Sequence, residues 1–216
     1  MIKGDNHISK ISQLDYGINL DDRIIYFTDE VDVASAEDVD NRIRIILQLS
    51  DDKTSPITLK ISSYGGDAYA LFGILDIMEL APVRINTQGV GPLMSAGAFL
   101  LVLNGTGVRS LTRRSTVMLH EIRTFFVNEE LTATELEHRR EQDSALQNLL
   151  LQELATYSNK SVKYWQEKLT KDYYLTPEEC LNLKLIDKIE RKDATPKKSG
   201  TVESAGTKKT AKKKTS

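Results

Sequence analysis

Residues 89–101 of this 216-residue chain read GVGPLMSAGAFLL, an apolar segment in which small residues surround a single hydroxyl, that of Ser95. The strand-like run at 83–87 precedes it and an apolar helical pattern continues from it, which predicts Ser95 at a helix N-terminus. Free backbone N–H groups and the helix dipole would there stabilise negative charge on a substrate oxygen, an arrangement that suits a nucleophile. From this segment alone, a serine that only caps the helix behind a Gly-Pro turn is the alternative.

Strands and helices alternate on both sides of this segment. Upstream, β-rich runs at 23–27 and 57–61 are each followed by an amphipathic helical pattern, and the first helix is predicted to begin in a capping box at 35–38. Downstream, short β-prone runs lie at 108–111 and 116–119. The alternation predicts a largely parallel α/β sheet with crossover connections, in which ligands bind at the strand-to-helix turns.

The second half of the chain contains one long helical pattern, from about residue 132 to 157, without Gly or Pro, after a β-prone run at 123–127. A helix of this length is expected to project from a domain of this size, with Leu146, Leu149, Leu150 and Leu154 packing on another subunit. Packing on its own sheet is the alternative. A shorter helix is expected at 161–169, and the sequence TPEE at 176–179 predicts a strongly capped helix start.

Composition divides the chain into a flexible arm at 1–19, one domain at 20–190 and a disordered Lys-rich tail at 191–216. Nine basic and two acidic residues give the tail a formal charge of +7, so the remainder carries −9 of the total of −2. An acidic body argues against a dedicated nucleic-acid-binding domain, and no apolar run has the length of a membrane span or the form of a signal peptide. We expect a cytoplasmic protein, in which the lone Cys180 is a half-buried structural thiol.

A serine nucleophile needs a base, and the chain has three histidines. His7 lies in the expected arm and His138 on the charged face of the long helix, so His120, at the end of an apolar strand candidate, is the favoured base. Pattern alone does not select an orienting carboxylate among 31 acidic residues, although Asp172, just ahead of the capped helix, would be held rigidly.

Four blocks of the sequence carry a family resemblance. They are ISSYGGD at 61–67, GPLMSAGAFLL at 91–101, VMLH at 117–120 and DYYLTPEE at 172–179. In order and approximate spacing they resemble the signature blocks of the ClpP family, the proteolytic subunit of Clp protease, and the similarity extends from about residue 20 to 189. The resemblance implies an α/β fold of the crotonase/ClpP type with a projecting handle helix, which the long helical pattern fits.

The resemblance also implies a chemistry, that of a serine endopeptidase acting through an acyl-enzyme. Ser95 is then the nucleophile, His120 the general base and later acid, and Asp172 the carboxylate that orients the imidazole. The backbone N–H groups of Gly66 and Ala96 match the family's oxyanion hole. No cofactor and no metal ion are expected.

Members of the family form heptamers or double heptamers, rings around a closed chamber into which a hexameric AAA+ Clp ATPase feeds unfolded proteins or peptides. This chain lacks a Gly-x-x-x-x-Gly-Lys-Ser/Thr loop, so any ATP use belongs to such a partner. We expect self-association and peptide or unfolded-protein substrates, and neither a membrane nor a nucleic acid as partner.

The chain departs from the family pattern at three places. Thr58 and Lys60 stand where the family usually has aromatic residues of the ATPase docking pocket, residues 121–128 are bulky where the family is Gly-rich, and Thr170-Lys171 replaces an Asp-Arg pair that links the rings. These departures indicate a divergent member. They leave an ATPase-independent processing protease and a non-catalytic ring subunit as alternatives, beside an acyl-CoA enzyme of the crotonase fold.

Overall fold

The structure, a computed structural model, describes residues 16–123 and 131–190. Its strands are β1 Ile18–Asn19, β2 Ile24–Phe27, β3 Ile57–Ser63, β4 Ile85–Met94, β5 Arg109–Thr112, β6 Thr116–Leu119, β7 Tyr173–Leu175 and β8 Lys188–Glu190. Its helices are α1 Val33–Leu49, α2 Ala68–Glu79, α3 Ala96–Val102, α4 Ala133–Thr156, α5 Val162–Lys168 and α6 Pro177–Asn182.

All the described strands form one sheet that branches at β4. The main path runs β1-β2-β3-β4-β5-β8, and its pairs are parallel except for the antiparallel β1–β2 pair. Residues 87–89 of β4 pair with β5, whereas residues 92–94 pair in parallel with β6, which in turn pairs antiparallel with β7. The predicted α/β class with a largely parallel sheet is confirmed, and the segment 89–101 lies at the branch.

The apolar faces of the helices cover this sheet. α1 buries Val39, Ile43 and Ile46, and α2 buries one face that includes Leu71 and Ile74. All seven residues of α3 are buried, so this short helix lies inside the core rather than on its surface. The central strand β3 alternates buried and partly buried side chains, as a strand with a more accessible second face does.

The predicted start of α1 is wrong by three residues. Asp32, not Ser35, is the N-cap: its carboxylate accepts from the Ser35 backbone N–H at 2.7 Å, and the Ser35 hydroxyl accepts from the Asp32 backbone N–H at 2.9 Å. Ser35 is thus the third helical residue of the box. A serine and an aspartate three residues apart each fit an N-cap, and here the extended backbone of Asp32, at φ −145° and ψ −179°, makes it the last residue before the helix.

The predicted end of the N-terminal arm, at residue 19, is also too late. Gly17, at φ +61°, turns the chain so that Ile18–Asn19 pairs with β2, and Ile18 is buried in the core. The rest of the arm, residues 124–127 of the β-prone run and the Lys-rich tail lie outside the described residues.

The long helix is confirmed, since α4 is capped by Thr132 and ends at Thr156. Leu150 and Leu154 were expected to pack on another subunit, but both are already buried within their own chain. The residues of α4 before Leu150 are exposed or partly exposed, Leu149 among them. The helix therefore packs through its C-terminal part and presents its N-terminal part to solvent in the single chain.

Local capping signals after α4 are also confirmed. Ser161 caps α5, and Thr176 with Glu179 forms the predicted capping box of α6, which has Pro177 at its first position. Cys180 on α6 is fully rather than half buried, and this burial raises the pKa of its thiol to about 12. A thiol so protonated is unsuited to nucleophilic attack.

Candidate active site

Ser95 lies at the turn between β4 and α3, where the sequence predicted it. Its backbone has φ 51° and ψ −129°, a conformation that a residue with a side chain rarely adopts. Its N–H donates to the carbonyl of Met118 on β6 at 2.8 Å, and its side chain makes no capping bond to the described residues of α3. The hydroxyl is therefore not used as a helix cap, which disfavours that alternative.

The loop after β3 passes directly against this turn. Gly65 has φ +106°, and a Cβ there would lie 2.7 Å from the Ser95 Cβ and 2.8 Å from the Met94 carbonyl oxygen. Gly66, at φ +150°, is bridged to Val31, whose backbone a Cβ at this position would strike. Both glycines are thus required by backbone conformation and by a close approach, that of Gly65 to the serine and that of Gly66 to Val31.

The two backbone N–H groups of the predicted oxyanion hole belong to Gly66 and Ala96. Among the described residues, neither the N–H of Gly66 nor that of Ala96 donates a hydrogen bond, although the N–H groups of Gly65 and Asp67 both do. Ala96 is the first residue of α3, so its N–H is one of the groups that a helix leaves unpaired. As far as the described residues go, both groups remain available to an oxygen of a ligand.

The sequence did not single out Ser63, which helps to hold this loop. Its hydroxyl donates to the carbonyl of Asp29 at 2.6 Å and accepts from the N–H of Gly65 at 3.2 Å. Gly97 packs on it so closely that a Cβ would lie 2.9 Å from the Ser63 Cβ. Only the Ser-Ser pair ahead of the two glycines signalled a polar support, and it did not show which serine turns inward.

Strand register brings the two other predicted residues to the same edge of the sheet. Met94 lies opposite Met118 in the β4–β6 pair, so His120 follows β6 where Ser95 leaves β4. Tyr173 lies opposite Leu119 in the antiparallel β6–β7 pair, so Asp172 precedes β7 beside His120. Three residues that are distant in sequence thus come to one place at the branch of the sheet.

Their side chains are not joined in the arrangement that the structure shows. The Asp172 carboxylate pairs with Arg123, and the buried Nδ1 of His120 has no hydrogen-bond partner among the described residues. Burial lowers the pKa of His120 below 6.5 and the charge of Arg123 lowers it further, whereas Asp172 and Glu121 act in the opposite direction. The neutral imidazole is therefore favoured at neutral pH, as a general base requires.

Within residues 16–123 and 131–190, no group of three or more His, Cys, Asp or Glu side chains is arranged to hold a metal ion. Over the same ranges, no helix has the length and apolar character needed to cross a membrane.

Comparisons with known proteins agree with the four sequence blocks. The family model described as Clp protease matches residues 8–193. The chain is 28% identical over 174 residues to the ATP-dependent Clp protease proteolytic subunit 1 of Corynebacterium glutamicum, covering 81% of this chain and 82% of that protein. It is 30% identical over 178 residues to the subunit of the same name from Prochlorococcus marinus, covering 81% and 87%.

Proposed function

The chain belongs to the Clp protease family, and from this premise we propose that it is a serine endopeptidase with Ser95, His120 and Asp172 as its catalytic residues. The observation that carries the proposal is the convergence of these three residues at one sheet edge, with Ser95 in a strained conformation against Gly65. Such strain at a turn between a strand and a helix is typical of an exposed nucleophile.

The chemistry follows from the positions of these groups. As the Ser95 Oγ attacks the carbonyl carbon of a peptide bond, its proton passes to His120. The carbonyl oxygen becomes an oxyanion, and the N–H groups of Gly66 and Ala96 donate to it. His120 then protonates the leaving amine, and the acyl-enzyme that remains on Ser95 is hydrolysed by a water molecule that His120 deprotonates.

In this mechanism Asp172 accepts a hydrogen bond from Nδ1 of His120. That bond fixes the tautomer in which the other ring nitrogen accepts the serine proton, and it stabilises the imidazolium that forms. In the structure Oδ1 of this carboxylate is engaged by Arg123, and the unpartnered Nδ1 is the group that would donate the bond once the carboxylate turns toward it.

A fluorophosphonate probe tests the assignment, because it reacts with an activated serine and not with an ordinary one. We expect covalent labelling at Ser95 and its complete loss in Ser95→Ala, together with a roughly 10³-fold or larger fall in peptide cleavage. Ser144→Ala, which removes an exposed hydroxyl on α4, is the matched control and should behave as wild type. Absence of labelling in wild type even after prolonged incubation with excess probe, when a slowly activated serine would also have reacted, would reject the peptidase in favour of a non-catalytic ring subunit or an acyl-CoA enzyme.

We also propose that the subunits assemble into rings in the cytoplasm, with the exposed part of α4 at a subunit contact. Leu149 on α4 is 42% exposed, and Val33 and Leu80 are 75% and 84% exposed on the helical layer at α1 and α2. Large apolar side chains with such exposure favour contact with another surface. A mass measured in solution that corresponds only to monomers would contradict this assembly.

Feeding by a Clp ATPase is the family's mode of action, and one observation favours independence from it. Thr58 and Lys60 lie partly buried on β3, and the Lys60 ammonium lies 5.7 Å from the centroid of the Tyr26 ring. A cation therefore stands where the family's apolar docking pocket would be. Degradation of an unfolded protein with and without a Clp ATPase distinguishes the two modes: stimulation supports the family's mode, and equal rates support independent processing.

A further inference from the structure

Arg123 holds the carboxylate that His120 needs. We propose that Arg123 is a positioning residue that keeps Asp172 away from His120, so that the site rests in an inactive arrangement until this ion pair opens. The proposal rests on the proposed function, because it concerns the rate at which the Ser95 hydroxyl is activated.

The first support is the side-chain pairing itself. Arg123 Nη2 donates to Asp172 Oδ1, and the two side chains are 46% and 39% exposed. Beside them, Nδ1 of His120 is buried and has no partner in the described part of the chain. Buried polar atoms nearly always have a partner, and the carboxylate that the strand register places beside this imidazole, Asp172, is paired with Arg123 instead.

The second support is the way the segment that carries Arg123 is fixed. The N–H of Glu121 donates to the carbonyl of Leu169 at 3.0 Å, on the loop that leads to Asp172. The N–H of Ile122 donates to Oε1 of Gln147 on α4 at 2.8 Å. These two bonds set the backbone between His120 and Arg123 against both the Asp172 loop and the long helix, which places the guanidinium opposite the carboxylate.

The charges around His120 give the sign of the effect. The charged groups that influence the imidazole are Arg123, Asp172 and Glu121. Arg123 disfavours the imidazolium formed during the reaction by its own charge, and it also engages the carboxylate that should stabilise that imidazolium. Removing Arg123 should therefore accelerate the reaction, whereas a residue that braced Asp172 for catalysis would slow the reaction when removed.

The decisive variant is Arg123→Gln, which keeps much of the side-chain length and removes the charge. We expect its fluorophosphonate labelling at Ser95 and its kcat/KM for a short chromogenic peptide to rise about tenfold, because the imidazolium formed in the reaction gains a carboxylate partner and loses an opposing charge. The acidic limb of its kcat/KM profile should move to higher pH, because the pKa of His120 rises. Arg123→Lys, which keeps the charge but loses the planar fork, should lie between the two.

Arg44→Gln is the matched control. Arg44 forms a comparable exposed pair with Asp40 at 2.8 Å within α1, and its removal should change neither labelling nor the pH profile. Gln147→Leu provides a second route to the same effect, since loss of its bond to Ile122 should loosen the segment and raise the labelling rate in the wild-type Arg123 background.

The outcomes separate this proposal from the peptidase assignment. Equal or slower labelling of Arg123→Gln with an unmoved acidic limb overturns the role of Arg123, while Ser95-dependent labelling of wild type still supports the peptidase. Absence of labelling in both proteins rejects both proposals. If Arg123→Gln does not fold, wild type is compared at about 0.1 M and about 1 M salt, where screening weakens an exposed pair. A faster reaction at high salt supports the role, and an unchanged rate counts against it.

Discussion

Replacement of Gly65 by alanine should both destabilise the protein and abolish labelling of Ser95. At φ +106° an added side chain costs about 1 to 2 kcal/mol in backbone strain. The new Cβ would also lie 2.7 Å from the Ser95 Cβ, 2.8 Å from the Met94 oxygen and 3.0 Å from the Ala96 nitrogen. Two of these atoms are backbone of the β4–α3 turn, so relief requires the turn to move, at a further cost of about 1 to 3 kcal/mol. The expected loss is about 2 to 5 kcal/mol.

Two other glycines separate the contributions. Gly91 has φ +72° but only the Ser62 Oγ near a built Cβ, at 3.6 Å, so Gly91→Ala should show the strain of about 1 to 2 kcal/mol without the collision. Gly73 lies within α2, and nothing comes within 4 Å of a built Cβ. Gly73→Ala should stabilise the protein by up to about 1 kcal/mol through helix propensity and leave labelling unchanged.

The measurement is urea unfolding at one fixed protomer concentration, followed by the fluorescence of the single tryptophan. Trp165 is fully buried and donates from its indole nitrogen to the Ser158 hydroxyl at 2.9 Å, so its emission reports loss of the core. Labelling by the fluorophosphonate probe is measured on the same samples under native conditions. A Gly65→Ala protein that unfolds at the wild-type urea concentration and labels at the wild-type rate would refute the close approach of this loop to Ser95.

Three further predictions concern Ser95, His120 and Arg109. Ser95→Gly should be about 1 kcal/mol more stable than Ser95→Ala in urea unfolding, because glycine relieves the positive φ, while both are inactive. The acidic limb of wild-type kcat/KM should have its midpoint below pH 6.5, since burial and Arg123 lower the pKa of His120, the base that must be neutral; a midpoint above 6.5 would contradict this. Arg109→Met should lower the unfolding free energy by roughly 3 to 5 kcal/mol. Its buried guanidinium donates to three backbone carbonyls and pairs with Asp187 at 2.9 Å. A loss under about 1 kcal/mol would refute the role of these contacts in stability.

Short-range signals account for what the sequence predicted well. The capping box at Thr176, the two ends of α4 and the strand at 116–119 each depend on residues within one or two turns of the chain. The start of α1 was predicted at Ser35 instead of Asp32 because both residue types serve as N-caps, and the two positions differ only in which side chain reaches which N–H. Such a choice depends on the path by which the chain enters the helix, which pattern does not record.

Long-range pairing accounts for what the sequence did not predict. The blocks indicated Ser95, His120 and Asp172, and the strand register brings them to one edge. The ion pair of Arg123 with Asp172 joins residues 49 positions apart, and no spacing rule identifies it. The burial of Leu150 and Leu154 matches the alternative and not the favoured expectation for a similar reason, because a leucine pattern shows that a helix has an apolar face but not what covers it.

The two halves of the proposed site are held with very different strength. Ser95 is fixed by buried α3 on one side, by its bond to Met118 on another and by Gly65 against its Cβ, so its strained backbone is determined by the core. Asp172 is held by one half-exposed ion pair, and such pairs contribute only about 0 to 1 kcal/mol. A small free energy is thus enough to change the partner of Asp172, whereas moving Ser95 would disturb the core. Control of this peptidase is therefore expected to act on the carboxylate and the imidazole and to leave the nucleophile in place.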